Sequence, residues 1–352
     1  MHESMNKKVR ILTIDGGGIR GIIPARILLY MEEQLQELVG EDARISDYFD
    51  LMAGTSSGGI LVCTYLLPDE NGRPKLTAQD SLDLYREHGI EIFGSTLFER
   101  FKRGFGYIDE RYSSEGLERV LKAYFGDLML SELIKPCMIT AYNLVKRRAF
   151  FFGSFKASRN KNKDFMVRDV ARATSAAPTY FEPALIYSKT GKKFELIDGG
   201  VFANNPALCA YSEAVQTDFG EMLKNPEKPN KPTSNDILLV SLGTGNSIQP
   251  YYHADLKDKG YAGWMRPLID ILRSSNSETV NYQLKLIFDC LKNRDDHGNY
   301  YRLECPLPKT VFAEMDRATP SNVEALEQVA LDSIYNNSKM LDEIVQKLID
   351  ND

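Results

Sequence analysis

The sequence predicts an α/β fold, a three-layer sandwich around a mostly parallel sheet, and three observations carry that expectation. Short runs rich in Ile, Leu and Val recur at Arg10–Ile14, Tyr48–Ala53, Cys137–Leu144, Phe194–Ile197 and Ile237–Leu242, each followed by a turn or a helical pattern. The alternation of such runs with helical patterns implies a sheet covered on both faces. Several end in glycine turns, which gathers the loops able to do chemistry at the carboxyl ends of the strands. Beyond about residue 248 the pattern turns helical, with Trp264, then Val280–Leu291 and Val323–Leu348. The chain therefore divides into residues 8–247 and a helical C-terminal region, 248–352, expected to pack on the first as a lid, a regulator or an oligomerisation surface.

The first strand leads into Asp15-Gly16-Gly17-Gly18-Ile19-Arg20-Gly21. Pro24 then sits in a first helical turn, and Ile27, Leu28, Met31, Leu35 and Leu38 recur at helical spacing before Gly40. A strand, a glycine turn and a helix N-terminus make an anion site, because free backbone N–H groups and the positive end of the helix dipole converge there. The anion is either a phosphate or the oxyanion of a tetrahedral intermediate. Gly16 to Gly21 also fit G-x-G-x-x-G, but a dinucleotide fold needs an acidic residue at the end of the second strand about 20 residues on. Glu37, Glu41 and Asp42 lie at that distance in or beside the first helix, so the ribose partner is missing.

Gly54-Thr55-Ser56-Ser57-Gly58 carries the second signal, G-x-S-x-G at the junction of a strand and a helix. Glycines on either side let the backbone close into an elbow that presents the serine hydroxyl. Centring Ser57 would put Thr55 where the elbow needs no side chain, so Ser56 is the expected nucleophile. A third element, Phe194-Glu195-Leu196-Ile197-Asp198-Gly199-Gly200, delivers a carboxylate from a strand end into another glycine turn. Asp198 is there either as a turn-forming residue or as a desolvated proton acceptor for Ser56. Imidazole is scarce: His2, His88, His253 and His297 lie in a terminal tail, a helical stretch and two polar loops. His253 or His297 remains the alternative base.

In order and wording these motifs resemble the patatin-like phospholipases and lipid acyl hydrolases, over about residues 8 to 245. Ala171–Phe181 and Val201–Pro206 extend the similarity around Asp198. The resemblance implies a Ser56–Asp198 dyad without histidine and an oxyanion hole from the amides of Gly16, Gly17 and Gly18. Asp15, Arg20, Gly21, Gly54, Gly58, Gly199 and Gly200 would support it, with no metal or cofactor. The implied reaction is cleavage of fatty acyl esters of membrane phospholipids. Arg20 is expected either to hold the loop and attract a lipid phosphate or to cap nearby carboxylates. Some bacterial relatives of this size are antiviral effectors, which extends the implied partners to a cyclic-dinucleotide activator.

Composition frames this reading. The chain has 352 residues, 43% hydrophobic and 26% charged, enough for a large core. A net charge of -6 without a basic, aromatic-laced cluster argues against nucleic acid. Phe98–Phe105 and Lys146–Phe152 mix basic and aromatic residues, and each is read as a lipid-contacting segment or as a helix or strand with one buried face. Cysteines 63, 137, 209, 290 and 305 form no C-x-x-C pair, which suits a reducing compartment. Met1–Lys8 lacks the apolar core of a secretory signal, and Leu51–Pro68, though uncharged, is divided by the elbow. The expectation is a cytoplasmic protein that touches the inner face of the membrane. Lys224–Pro232 reads as an exposed loop.

Overall fold

The computed structural model describes residues 7–93, 114–247, 250–289, 298–309, 311–312 and 314–351. Its strands are β1 (Val9–Ile14), β2 (Leu51–Gly54), β3 (Cys137–Asn143), β4 (Arg148–Gly153), β5 (Ala184–Tyr187), β6 (Lys193–Asp198), β7 (Ile237–Leu242), β8 (Asn246–Ser247), β9 (Tyr300–Leu303) and β10 (Pro306–Leu307). The central sheet runs β5-β6-β3-β2-β1-β7-β9, with β4 paired to β3 off that path, while β8 and β10 pair separately. From β3 to β9 the neighbours are parallel. β4, β5 and β6 add antiparallel pairings at the other end.

The helices that matter below are α1 (Ile22–Val39), α2 (Ser57–Tyr65), α3 (Ala78–Phe93), α4 (Glu115–Phe125), α5 (Val167–Thr174), α6 (Ala207–Ala214), α7 (Tyr261–Asp289), α8 (Pro320–Asn336) and α9 (Ser338–Asp350). Every residue of β1, β2 and β7 is buried, so both faces of the sheet are covered. Alternate side chains enter different cores. Leu12, Ile14, Val240 and Leu242 join α1, α2, α3, α4, α5, α8 and α9, whereas Val9, Ile11, Ile237 and Leu239 join α6 and the end of α7 through Ala210, Val280, Leu284 and Phe288. The result is the expected three-layer arrangement.

Several local expectations shift. The second strand begins at Leu51 because Ile45–Tyr48 form one 3-10 turn, closed where the Asp47 carboxylate accepts the Arg44 N–H at 3.0 Å. The C-terminal region is not helical throughout: Tyr300–Leu303 becomes the edge strand beside β7. Lys146–Phe152 contributes β4, and Phe150 and Phe152 turn into a cluster with Phe165 and Phe194. The aromatic part of that run is therefore largely core. Phe98–Phe105 lies outside the described residues. Among the described residues no helix is long and apolar enough to cross a membrane.

Lys224–Pro232 holds the clearest departure, because Lys228 is buried with Arg10 around Asp50. Lys228 Nζ lies 2.7 Å from Asp50 Oδ2, which also accepts the Arg10 backbone N–H at 2.8 Å and approaches Arg10 Nε at 3.4 Å. Burial pushes the Lys228 ammonium below its usual range while the carboxylate pulls it back. Asp50 precedes β2 and Arg10 lies in β1, so this ion cluster ties the strand starts to a distant loop. Removing the shared anion leaves two buried cations. Asp50→Ala should cost about 3–5 kcal/mol in urea denaturation, against less than about 1 kcal/mol for replacing an exposed ion-pair partner such as Lys193.

Candidate active site

Strand register sets the site. Ile14 pairs with Gly54 on one side and Leu242 on the other, and Leu242 pairs with Leu303, so four parallel strands end level. β4 occupies one edge of β3 along residues 138–143, which leaves β2 and β6 to share the other. They meet there end to end, Gly54 opposite Ile139 and Asp198 opposite Ala141. The serine elbow and the aspartate turn are thus brought together by adjacent positions on one strand.

Ser56 has φ 54° and ψ -126°, a conformation that strains any residue with a side chain. The elbow leaves no alternative path. A Cβ at Gly54 would lie 2.4 Å from the Gly58 carbonyl oxygen, and one at Gly58 would lie 2.4 Å from that of Ile14. Ser56 N–H donates to Thr174 Oγ1 at 2.8 Å, whose hydroxyl donates to the Thr140 carbonyl at 2.7 Å. Thr55 Oγ1 donates to the Ala203 carbonyl at 2.7 Å, tying the elbow to the segment after Asp198. Ser57 is fully buried and its Oγ accepts the Gly17 N–H at 3.0 Å. Of the two serines, Ser56 faces the cavity.

That cavity, about 130 Å3, is lined by Gly16, Gly17, Ser56, Asp198, Ile269, Leu272 and Met315, among others. Asp198 Oδ1 accepts the Gly200 N–H at 2.7 Å, and the Asp198 N–H donates to the Ala176 carbonyl at 3.0 Å. Burial raises the Asp198 pKa from 3.8 to about 6, against the lowering effects of a hydrogen bond from Ser56, the Gly200 amide and the Arg273 charge. Among the described residues lining this cavity there is no histidine: His88 lies on α3 beside Glu91, and His253 is exposed. His2 and His297 lie outside the described residues.

The glycine loop is more engaged than the sequence suggests. Gly16 N–H donates to the Asn204 carbonyl at 3.1 Å, and the Gly17 N–H goes to Ser57. Gly18, with φ 58°, abuts Met315, whose carbonyl accepts the Ile19 N–H at 2.9 Å. Gly21 packs against Tyr85, and Gly199 against Thr140.

Four contributors were not visible in the motifs. Arg273 on α7 is half-buried, donating through Nη2 to the Gly16 carbonyl at 2.5 Å and through Nε to Asn204 Oδ1 at 3.0 Å, with Nη1 on Met315 Sδ. Thr244 Oγ1 donates to the same Gly16 carbonyl at 2.8 Å. Arg302 on β9 clamps Asp15 with two bonds of 2.8 and 2.7 Å, and Ser277 adds a third at 3.1 Å. Burial opposes the Arg302 charge, but Asp15 and Glu304 outweigh it and hold the guanidinium protonated. No motif marked these partners, all of which follow β7 in the chain.

A second cavity of about 310 Å3 adjoins the first, and the two share Asn204 and Arg273. Its walls are polar, with Asp15, Arg20, Asp270, Arg302 and Glu304. Arg20 is buried with no hydrogen-bond partner on Nε. Desolvation and then Arg273 lower its pKa to about 10, while Asp270 and Glu304 pull upward. It therefore faces carboxylates across the cavity rather than being capped by one.

A sequence profile of the family described as "Patatin-like phospholipase" matches residues 12–211. The chain is 33% identical over 351 residues to "Patatin-like protein 1" of Arabidopsis thaliana, covering 95% of this chain and 83% of that one. It is 32% identical over 336 residues to "Probable inactive patatin-3-Kuras 1" of Solanum tuberosum, covering 93% and 86%. Among solved structures it is similar to "Human GIVD cytosolic phospholipase A2", with 11% identity, a TM-score of 0.48, and 100% and 61% of the two chains covered.

A carboxyl group whose pKa is raised by burial binds its proton more tightly folded than unfolded. Stability is then lost as pH rises from about 4 through about 6. Asp198→Asn removes the buried charge and keeps an acceptor for the Gly200 amide. At pH 8 it should unfold at higher urea, with a gain of about 1–3 kcal/mol; the gain should vanish near pH 4.

Proposed function

Because the chain belongs to the patatin-like phospholipase family and so to the lipid acyl hydrolases, we propose that it cleaves fatty acyl esters of phospholipids with Ser56 as nucleophile and Asp198 as its base. One observation carries this: a strained elbow serine shares an apolar cavity with a buried carboxylate whose pKa is raised to about 6. A carboxylate at that value accepts a proton better than an ordinary aspartate and is still ionised at neutral pH.

In the first step Ser56 Oγ attacks the acyl carbonyl and its proton passes to Asp198. The tetrahedral intermediate collapses, the ester C–O bond breaks, and the lysolipid alkoxide leaves with the proton from Asp198. Water, deprotonated by Asp198, then attacks the acyl-serine and releases the fatty acid and Ser56. The oxyanion forms beside the Gly16–Gly18 turn, where amide donors stabilise it. The Gly17 N–H, held by Ser57 Oγ in this structure, is the donor nearest the elbow to be exchanged for it. Arg273 and Thr244 both grip the Gly16 carbonyl, which fixes the Gly16–Gly17 peptide plane and hence the direction of that N–H. Arg20 in the polar cavity supplies a cation for the phosphate of the headgroup.

Fatty-acid release from phosphatidylcholine vesicles, and hydrolysis of a short p-nitrophenyl ester, test this. Ser56→Ala and Asp198→Asn should each lower kcat by about a thousandfold or more. If either keeps wild-type activity while folded, the dyad is wrong. In the wild type kcat/KM should fall about tenfold per pH unit below about 6, as Asp198 takes up its proton.

Arg273→Gln should do two things at once. It removes a nearby positive charge, so the acidic limb of the kcat/KM profile should move above about 6. It also releases the glycine-loop carbonyl, so kcat should drop by about ten- to a hundredfold with little change in KM. A purely structural arginine would lower stability without moving the limb.

A further inference from the structure

We infer that the exposed face of α7 carrying Trp264, Leu268 and Leu272 is the surface by which the protein docks on a zwitterionic phospholipid bilayer. This deepens the proposed function and rests on it for its biological meaning, although the docking itself does not depend on catalysis.

Trp264, Leu268 and Leu272 are spaced four residues apart, so they lie in one row along the helix. They are 38%, 48% and 52% exposed, a large apolar display for a water-facing helix. The row runs into the catalytic cavity. Leu272 lines that cavity while remaining half exposed, and so does Val201 from the Asp198 turn, at 42%. Pro178 is a third exposed residue of the lining. The apolar surface thus continues from the outer face of α7 over the rim to Ser56, the path an acyl chain leaving a bilayer would follow without crossing water.

Charges around the row suit headgroups. No member of the row is charged; just before it Lys257 is ion-paired with the exposed Asp258, and the exposed Lys259 has its side chain against Gly263 beside Trp264. Across the mouth, Arg317 sits 3.5 Å over the exposed ring of Phe312, on the segment whose Met315 forms a cavity wall. A row of apolar anchors that starts with a tryptophan and is preceded by lysine places the anchors among acyl chains and the ammonium group at lipid phosphates. With a net charge of -6, the chain as a whole gains nothing from an anionic surface. The complementary partner is phosphatidylcholine, whose phosphate is locally accessible and whose net charge is zero.

Trp264 is the only tryptophan in the chain, so its emission reports on this face alone. Phosphatidylcholine vesicles, with and without brominated acyl chains, are titrated into the full-length Ser56→Ala protein, which leaves the lipid uncut. The emission should shift to the blue and be quenched by the brominated chains. Leu268→Glu, on the row but outside the cavity, should weaken vesicle binding and vesicle hydrolysis by about tenfold or more, and leave hydrolysis of a soluble short-chain ester within about twofold. An unquenched Trp264 in protein that co-floats with vesicles would overturn the assignment, as would wild-type vesicle hydrolysis by Leu268→Glu. So would a dimer that shields Trp264 in the absence of lipid, since the face would then pair two copies of the chain. Failure to cleave either substrate would count against the catalytic reading, and the quenching would still decide the docking face.

Discussion

The site depends on one close approach of backbone to backbone. The serine elbow lies so near the end of β1 that Gly58 has no room for a Cβ against the Ile14 carbonyl, and the Thr55 N–H donates to that same oxygen at 3.2 Å. Side chains there would push the two turns apart. With glycines they pack directly, and the serine elbow and the glycine loop sit as neighbours on level strand ends. The strain at Ser56 follows from this packing, since the chain must reverse within the space the glycines open.

A second constraint is electrostatic. The strand ends gather Asp15, Asp198, Arg273 and Arg302 into buried or half-buried surroundings, where each unpaired charge would be costly. The structure resolves them by division of labour. Asp15 is fully paired, taking both arms of Arg302 and the Ser277 hydroxyl, and so stays structural. Asp198 accepts the Gly200 N–H, and burial raises its pKa against the lowering effects of Ser56, that amide and the Arg273 charge. Two aspartates that open similar Asp-Gly-Gly turns thereby differ in their partners, three side-chain donors for Asp15 and a backbone amide for Asp198.

What was legible in the sequence follows from how local each signal is. Strand runs, the glycine loop, the elbow and the Asp-Gly-Gly turn depend on residues within a few positions, and each appears near where its pattern implied, the second strand starting three residues late at Leu51. β5 and β9 were not foreseen, because a four-residue edge strand is too short for its periodicity to stand out. Lys228 was misread for a related reason: proline-rich polar composition describes the loop around it, while its burial is set by Asp50, 178 positions away. Arg273 and Arg302 were invisible as site residues because nothing in a helix or strand marks an arginine that reaches a loop more than 250 positions distant.

Those distant arginines change what the C-terminal region is. Arg302 comes from the strand that extends the sheet beyond β7, and Arg273 from the helix that covers the second face of the sheet. Together they hold Asp15 and the Gly16 carbonyl, the first two residues of the glycine loop. An active-site loop rich in glycine has high conformational freedom and needs external ties to present fixed donors. Here two guanidinium groups, delivered by chain segments that follow every motif, add ties to those from Asn204, Ser57 and Thr244. Arg273 and Asn204 also form the boundary between the apolar and polar cavities. In the proposed reaction the same side chain that ties the loop marks where the lipid divides, its acyl chain toward Ser56 and α7 and its polar end toward Arg20.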